Sequence, residues 1–261
     1  MLLVRLSQEP RPQGALTEVF HAAQKTDFYR HWLRSLDAEP EHTLDLLPHV
    51  DIAHVDENPE QFRNPRRSGR MAAAFSYPIQ PVPRVVVLAD GFRRGTNVRV
   101  MPKFDINAAR DWKADAVAAP LAVLRRLAQS GCTFEFPVVA FTGVRYGYMS
   151  AADRDHFWRT FGVPVFEQLT GLDNDVLAEE CEAHEGLHIR LQDAIFEFRG
   201  KELVVSSLSN FVHPVLRLAI GLTGRLEQSM CSCGKPGPRL MDLQPYRRAE
   251  HSHSAAFMSL R

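Results

Sequence analysis

The chain has 261 residues, of which 45% are hydrophobic, and it carries equal numbers of basic and acidic residues, 31 of each. This size allows a large core in one or two domains, and the zero net charge removes the electrostatic argument for a nucleic-acid partner. A short apolar run before Arg5 predicts no secretory signal, and no later stretch predicts a membrane span. We therefore expect a cytoplasmic protein that binds neither nucleic acid nor membrane.

The N-terminal part predicts helices followed by an irregular segment. Apolar spacing at residues 15–25 and 28–37 favours two short amphipathic helices. Prolines interrupt residues 46–65, which we expect to wrap over a surface, and the Arg- and Pro-rich residues 64–83 predict a loop.

A central block alternates strand and helix patterns. Residues 84–90 and 97–101 predict strands, and residues 133–143 predict a buried strand. Residues 116–131 predict a helix that ends at Gly131.

Ser150 and Asp153 have the spacing of a helix capping box, which predicts a helix that ends at Gly162. Asp153 and Asp155 beside His156 could suggest acid–base chemistry. Capping and the helix dipole explain acidic residues in a first turn adequately, so we assign them no catalytic role.

Short strands dominate the sequence after this helix. Residues 163–169 predict a strand, and three more are predicted at 186–190, 193–199 and 201–207. Arg199 and Gly200 join the last two, and a glycine at that position favours a tight hairpin turn.

Four soft-metal ligands lie in two places. Cys231 and Cys233 form a C-x-C-G turn, while Cys181 precedes His188 by seven residues. Two thiolates from such a turn, with one further Cys and one His, would complete a tetrahedral zinc shell. His184 is an alternative fourth ligand if its segment is helical, and Cys181 could instead be an inert buried residue.

Zinc bound by four protein ligands has no open position, so such a site would be structural and not catalytic. We expect it to join the predicted hairpin at 193–207 to the turn that contains Cys231 and Cys233. The remaining cysteine, Cys132, stands apart, and this pattern of cysteines fits a reduced compartment.

Three segments together resemble the phenylacetate–CoA ligase family of adenylate-forming enzymes. They are FGVPVFEQLTGLDNDVLAEECEAHEGLHI, GKELVVSSLSNFVHPVLRLAIG and GRLEQSMCSCGKPGPRL, and the resemblance extends back to about residue 15. It implies an α/β fold like a truncated N-terminal domain of these enzymes, with a mixed sheet flanked by helices and a small antiparallel β region stapled by zinc.

On this basis we divide the chain into four parts. We expect an N-terminal helical wrap at 1–63, a central α/β block at 64–178, a zinc-stapled β subdomain at 179–245 and a flexible tail at 246–261. The tail contains His251 and His253, which we interpret as solvated residues and not as ligands.

The nucleotide motifs of the family are impaired in this chain. The family's phosphate loop, rich in Ser, Thr and Gly, would fall within residues 66–86, which have one Ser-Gly pair followed by apolar and Pro-rich sequence. Where the family has Tyr-Gly-x-Thr-Glu, this chain has Thr170, Gly171, Leu172, Asp173 and Asn174.

The family's third motif, Arg-Tyr-x-Thr-Gly-Asp, ends in an acid that binds the ribose. Here the stretch begins at Arg217 and ends at Leu222, which cannot accept a hydrogen bond. Only 28 residues follow Cys233, too few for the family's mobile C-terminal domain. We therefore expect a structural Zn²⁺ but no ATP binding.

Three functions fit these departures. The favoured one is a non-adenylating scaffold that binds a small acyl or aryl ligand, a protein partner or a second copy of itself, in a biosynthetic pathway. The first alternative is a ligase or acyl transferase completed by a partner chain. The second is new chemistry in the old acyl pocket, using one or more of four acids: Asp173, Asp175, Glu179 and Glu180.

Overall fold

The computed structural model describes residues 13–34, 44–67, 72–101 and 112–246. The predicted tail from residue 247 onwards, with His251 and His253, lies outside these described residues. No helix within them is long and apolar enough to cross a membrane.

Within the described residues, a nine-stranded mixed sheet forms the centre of the molecule. Its strands, in spatial order, are β12 (Leu222–Glu227), β13 (Arg239–Pro245), β8 (Leu187–Ile189), β7 (Val176–Glu180), β6 (Val165–Thr170), β5 (Val138–Gly143), β4 (Ala116–Pro120), β2 (Val85–Val87) and β3 (Val98–Val100). From β3 to β6 the neighbours are parallel, and from β6 to β12 they are antiparallel. The carboxyl ends of β2, β4, β5 and β6 therefore meet at one edge of the sheet.

A second, four-stranded sheet packs beside the antiparallel half. Its order is β1 (Val50–Asp51), β11 (Leu218–Ala219), β10 (Glu202–Ser207) and β9 (Ala194–Arg199). Strands β9 and β10 form the predicted hairpin through Arg199 and Gly200, and Gly200 has the positive φ of 61° that the turn requires. This part of the sequence analysis is confirmed.

The described helices are α1 (Gln13–Ala23), α2 (Asp27–Arg34), α3 (Ile52–Glu57), α4 (Leu121–Gln129) and α5 (Ala151–Phe161), with 3-10 turns at Leu44–Leu46 and Pro59–Phe62. Apolar residues of α1 and α2 pack in one core with β1, β8, β10 and β11, while α4 and α5 share a core with strands β4 and β5. Helices thus flank a large mixed sheet, as in the predicted fold class.

The predicted cap of α5 is confirmed. The Ser150 hydroxyl accepts the Asp153 backbone N–H at 3.1 Å, and the Asp153 carboxylate accepts the Ser150 backbone N–H at 3.1 Å. Gly162 ends the helix in the left-handed conformation, with φ of 71°.

The helix predicted for residues 116–131 is wrong in its first part, because Ala116–Pro120 is strand β4 and the helix begins at Leu121. A residue that precedes proline disfavours the helical conformation, so Ala119 is biased towards extended backbone. The apolar run is also buried between β2 and β5, which supply hydrogen bonds on both sides.

Candidate functional site

The antiparallel half of the large sheet brings four potential metal ligands together. Cys181 directly follows β7, and His188 lies in β8, where it pairs with Arg239 of β13. Cys231 and Cys233 lie in the connection between β12 and β13. Because these strands are neighbours, residues far apart in sequence converge at one end of the sheet.

The distances fit a tetrahedral metal shell. All four ligand atoms lie within 4.8 Å of one another. The Cys181 and Cys231 sulfurs are 3.6 Å apart, and the Cys233 sulfur is 3.5 Å from His188 Nε2. Tetrahedral zinc, with Zn–S near 2.3 Å and Zn–N near 2.05 Å, places such pairs about 3.8 Å and about 3.6 Å apart. The cluster could therefore hold a metal ion such as zinc.

Burial and neighbouring groups shift the pKa values of three residues in the cluster. Burial raises the pKa of Cys181 to about 12, so without a cation this thiol stays neutral. Burial lowers the pKa of His188, with help from Lys235 and Arg239, which keeps the imidazole in the neutral form that ligates metals. For Cys233, burial acts to raise the pKa, but the Lys235 backbone N–H at 3.4 Å and the neighbouring thiols bring it below its ordinary value.

A shell of polar contacts fixes the loop that carries Cys231 and Cys233. Glu185 accepts the Ser232 hydroxyl at 2.9 Å and its backbone N–H at 3.3 Å. The buried Arg239 donates to the same carboxylate at 3.1 Å. Such outer contacts orient metal ligands and limit their motion.

The structure places the alternative ligand elsewhere. His184 Nδ1 is 3.0 Å from the Glu180 carboxylate, and the His184 ring packs on Phe166. The same carboxylate accepts a hydrogen bond from Arg154 at 3.0 Å. His188 therefore completes the cluster, and His184 does not.

The expected position of the cluster needs a correction. It joins β7, β8 and the β12–β13 connection at the edge of the large sheet, whereas the predicted hairpin of β9 and β10 belongs to the small sheet. Sequence order suggested the hairpin, but β8 pairs with β13 and not with β9. A metal held by all four of these protein ligands would have no open coordination position for a substrate.

The positions that correspond to the nucleotide motifs lie just after the carboxyl end of β6, directly before β11 of the small sheet and at the start of β12 of the large sheet. Asn174 donates to the Asp90 backbone carbonyl at 2.6 Å and accepts the Tyr146 hydroxyl at 2.7 Å. These contacts tie the turn after β6 to the loops that follow β2 and β5. The Asn174 amide is thus used inside the protein.

Arg217 and Leu222 are also engaged internally. The Arg217 side chain is only 4% exposed. It donates to the carbonyls of Asp45 and Leu47 at 2.7 Å each, and its Nε lies 3.4 Å from Glu197. Leu222 is buried in the core between the two sheets.

Two acids beside Gly171 contact the small sheet and the loop that follows it. Asp173 accepts His213 Nδ1 at 2.7 Å and the Asn210 amide at 2.9 Å. Asp175 accepts the Ser207 hydroxyl at 2.5 Å. His213 and Asn210 escaped the sequence analysis, since no local pattern links them to an acid about forty residues earlier.

The two other acids considered for new chemistry are occupied elsewhere. Glu179 accepts the Ser76 hydroxyl at 2.7 Å. Glu180 accepts the Glu167 backbone N–H at 2.8 Å, besides its contacts with Arg154 and His184. Burial raises the pKa of the neighbouring Glu167 to about 7.

No protein-family model matches the chain, and no curated protein matches it. Solved structures do match. One is 2-hydroxyisobutyryl-CoA ligase in an open conformation with 2-HIB-AMP and CoA, with a TM-score of 0.61, 13% identity and coverage of 87% of this chain and 72% of that one. The same ligase in its thioesterification state gives a TM-score of 0.60 at 14% identity, and the postadenylation complex with 2-HIB-AMP gives the same values.

This chain spans 65% of the length of each of the last two structures. At such low identity the likeness shows the fold alone, which is similar to that of 2-hydroxyisobutyryl-CoA ligase. It does not single out the phenylacetate–CoA ligase family.

Proposed function

We propose that this protein is a non-adenylating relative of the acyl-CoA ligases, a scaffold with a structural zinc that binds an acyl or aryl ligand or a protein partner. The observation that carries the proposal is that groups at the nucleotide-motif positions are engaged within the protein. A group that already has partners can bind a nucleotide only by giving them up, at a cost of about 1–3 kcal/mol for each buried group left unpaired.

Three positions support this argument. Arg217 holds the carbonyls of Asp45 and Leu47, and Leu222, which replaces the ribose-binding acid, packs in the core. Asn174 bridges two neighbouring loops. An aliphatic side chain at the acid position removes a charge-assisted bond worth about 1.5–3 kcal/mol.

The metal cluster supports the scaffold part. The Cys181–Cys231 sulfur–sulfur distance and the Cys233–His188 sulfur–nitrogen distance each match a zinc shell within about 0.2 Å. Zinc in this place would supply a cross-link between the β7–β8 hairpin and the β12–β13 connection. It would hold the edge of the sheet that lies farthest from the parallel strands.

Calorimetry with ATP and Mg²⁺ tests the proposal directly. We expect no binding heat at concentrations where an active acyl-CoA ligase, measured in parallel, saturates. Pyrophosphate release with a panel of aliphatic and aromatic carboxylic acids should stay at the buffer rate. Micromolar ATP affinity, or carboxylate-dependent release of pyrophosphate by the protein alone, would contradict the proposal.

A second candidate is a ligase completed by a partner chain. The chain spans 65% to 72% of the length of the matched ligases, so part of each ligase has no counterpart in the alignment. In that case the product of a neighbouring gene should restore carboxylate-dependent pyrophosphate release when the two proteins are mixed. Size-exclusion chromatography of the same mixture would show a complex, and of the protein alone would show whether it self-associates.

A further inference from the structure

The contact between His213 and Asp173 has the geometry of a proton-transfer dyad. Nδ1 of His213 lies 2.7 Å from Oδ2 of Asp173. The His213 and Asn210 contacts lower the pKa of Asp173 although burial acts to raise it, so the carboxylate is ionised and can only accept. His213 therefore donates from Nδ1, and the opposite ring nitrogen, Nε2, is the one that can act as a base.

Asn210 contacts both members of the dyad. Its amide donates to the same Asp173 oxygen at 2.9 Å, and its carbonyl accepts the backbone N–H groups of Val212 at 3.2 Å and His213 at 2.9 Å. Asn210 is only 1% exposed. A buried residue that binds both partners holds them in one orientation, as a base of fixed direction requires.

Asp175, two residues beyond Asp173, contrasts with its neighbour. It is 4% exposed, one oxygen accepts Ser207, and the other has no hydrogen-bond partner within the described residues. Burial raises its pKa, and the nearby Asp173 charge adds to this effect. Two adjacent acids whose pKa values are driven apart are a common feature of acid–base sites.

The dyad also lies where a ligand can reach it. In open α/β sheets, ligands bind outside the carboxyl ends of the parallel strands, and Asp173 lies three residues past that end of β6. The side chains of His213 and Asp173 are 30% and 26% exposed. His213, Asn210, Ser207 and Gly171 line a cavity of about 10 Å³ together with five apolar side chains, and this volume is close to the room that one water molecule needs.

We propose that His213 and Asp173 form a general-base dyad that hydrolyses an acyl thioester with a water molecule held beside His213. His213 Nε2 removes a proton from the water, whose oxygen bonds to the acyl carbonyl carbon. The carbon–sulfur bond then breaks, and the departing thiolate takes the proton from Nε2, giving a carboxylic acid and a thiol. Asp173 keeps its bond to Nδ1 and stabilises the imidazolium in between.

The choice of a thioester as substrate rests on the proposed function, because the similarity of fold to acyl-CoA ligases is what suggests an acyl ligand. The dyad itself rests only on its geometry. The other charged groups acting on it are Asp175 and Arg145; the Arg145 charge also lowers the pKa of Asp173.

The test uses acetyl-, butyryl- and benzoyl-CoA as probes, with released CoA measured by chromatography. We expect the protein to hydrolyse at least one probe above the buffer rate. His213→Gln should lower that rate about 100-fold or more, within the usual range for loss of a general base. His156→Gln is the matched control, because His156 is exposed on α5 and should leave the rate unchanged.

Asp173→Asn separates a proton-transfer role from a purely structural one. Removal of the carboxylate should lower the rate and shift the acidic limb of its pH profile to lower pH, because the imidazolium loses its counter-charge. Asp173→Asn also serves if His213→Gln fails to fold. Hydrolysis at the buffer rate by the wild type, or an unchanged rate in His213→Gln, would overturn the dyad.

The two proposals fail separately. ATP binding by calorimetry would refute the non-adenylating scaffold and leave the hydrolysis data to stand on their own. Absent hydrolysis together with absent ATP binding would overturn the dyad and leave the scaffold in place.

Discussion

Replacing Cys231 with serine should remove the metal and destabilise the edge of the large sheet. The expected loss of stability follows from the length of the loop that the metal would close, because Cys181 and Cys231 are 50 residues apart in sequence. The chain-entropy relation for a cross-link over such a loop gives about 4 kcal/mol at 25 °C. We take this as the upper limit, since three remaining ligands could retain a weakly bound ion.

For a chain of this size, about 4 kcal/mol corresponds to a fall in Tm of roughly 8–16 °C. Elemental analysis should find about one zinc per chain in the wild type and far less in Cys231→Ser. A chelator should lower the wild-type Tm to that of the variant and leave the variant unchanged.

Cys132→Ser is the matched control, because Cys132 lies outside the cluster and packs beside the α4–α5 core. It should keep the metal and change Tm little. The assignment of ligands would be refuted by one zinc per chain in Cys231→Ser, or by a wild-type Tm that a chelator does not change.

Three further predictions concern stability. The Arg125 hydrogen bond, and to a smaller extent the Ser150 cap, lower the pKa of Asp153 to about 2, below the ordinary 3.8. The ionised Asp153 therefore stabilises the fold fully above about pH 4, and this stabilisation is lost as the pH falls towards 2. Asp153→Asn should lower the free energy of unfolding at pH 7 by about 1–2 kcal/mol in urea denaturation, after allowance for the half-exposed Arg125. The variant's stability should also fall less steeply than that of the wild type between pH 4 and pH 2. An equal loss at pH 2 would argue against this. Gly171→Ala would place Cβ 2.5 Å from Asp175 Oδ1, so we expect a loss of about 1–3 kcal/mol in the same assay, and unchanged stability would show that the turn can move. Leu222→Asp restores the acid of the ribose motif but buries a charge, so it should lower Tm without creating ATP binding by calorimetry; a gain of affinity would count against the scaffold.

Local chemistry was enough to predict much of the secondary structure. The Ser150–Asp153 pair and Gly162 define α5 because their hydrogen bonds and backbone angles depend on residues close in sequence. The same holds for the β9–β10 hairpin, whose turn contains Gly200. The C-x-C-G pattern likewise indicated a metal ligand pair, because few other roles require two cysteines at that spacing.

Local chemistry failed where neighbours in space decide the outcome. An apolar run such as Ala116–Pro120 fits a buried helix or a buried strand equally well, and β2 and β5 make it a strand. Strand pairing also chose His188 over His184, since the β7–β8 register and the pairing of β8 with β13 direct His188 towards Cys233.

The sequence by itself therefore determined the caps of α5, the β9–β10 hairpin and the C-x-C-G ligand pair, because each depends on contacts within a few residues. Only the tertiary structure decided which sheet the cluster braces and how Asp173 meets His213. The physical reason is that sheet order is set by burial and by hydrogen bonds between distant strands, which no short segment specifies.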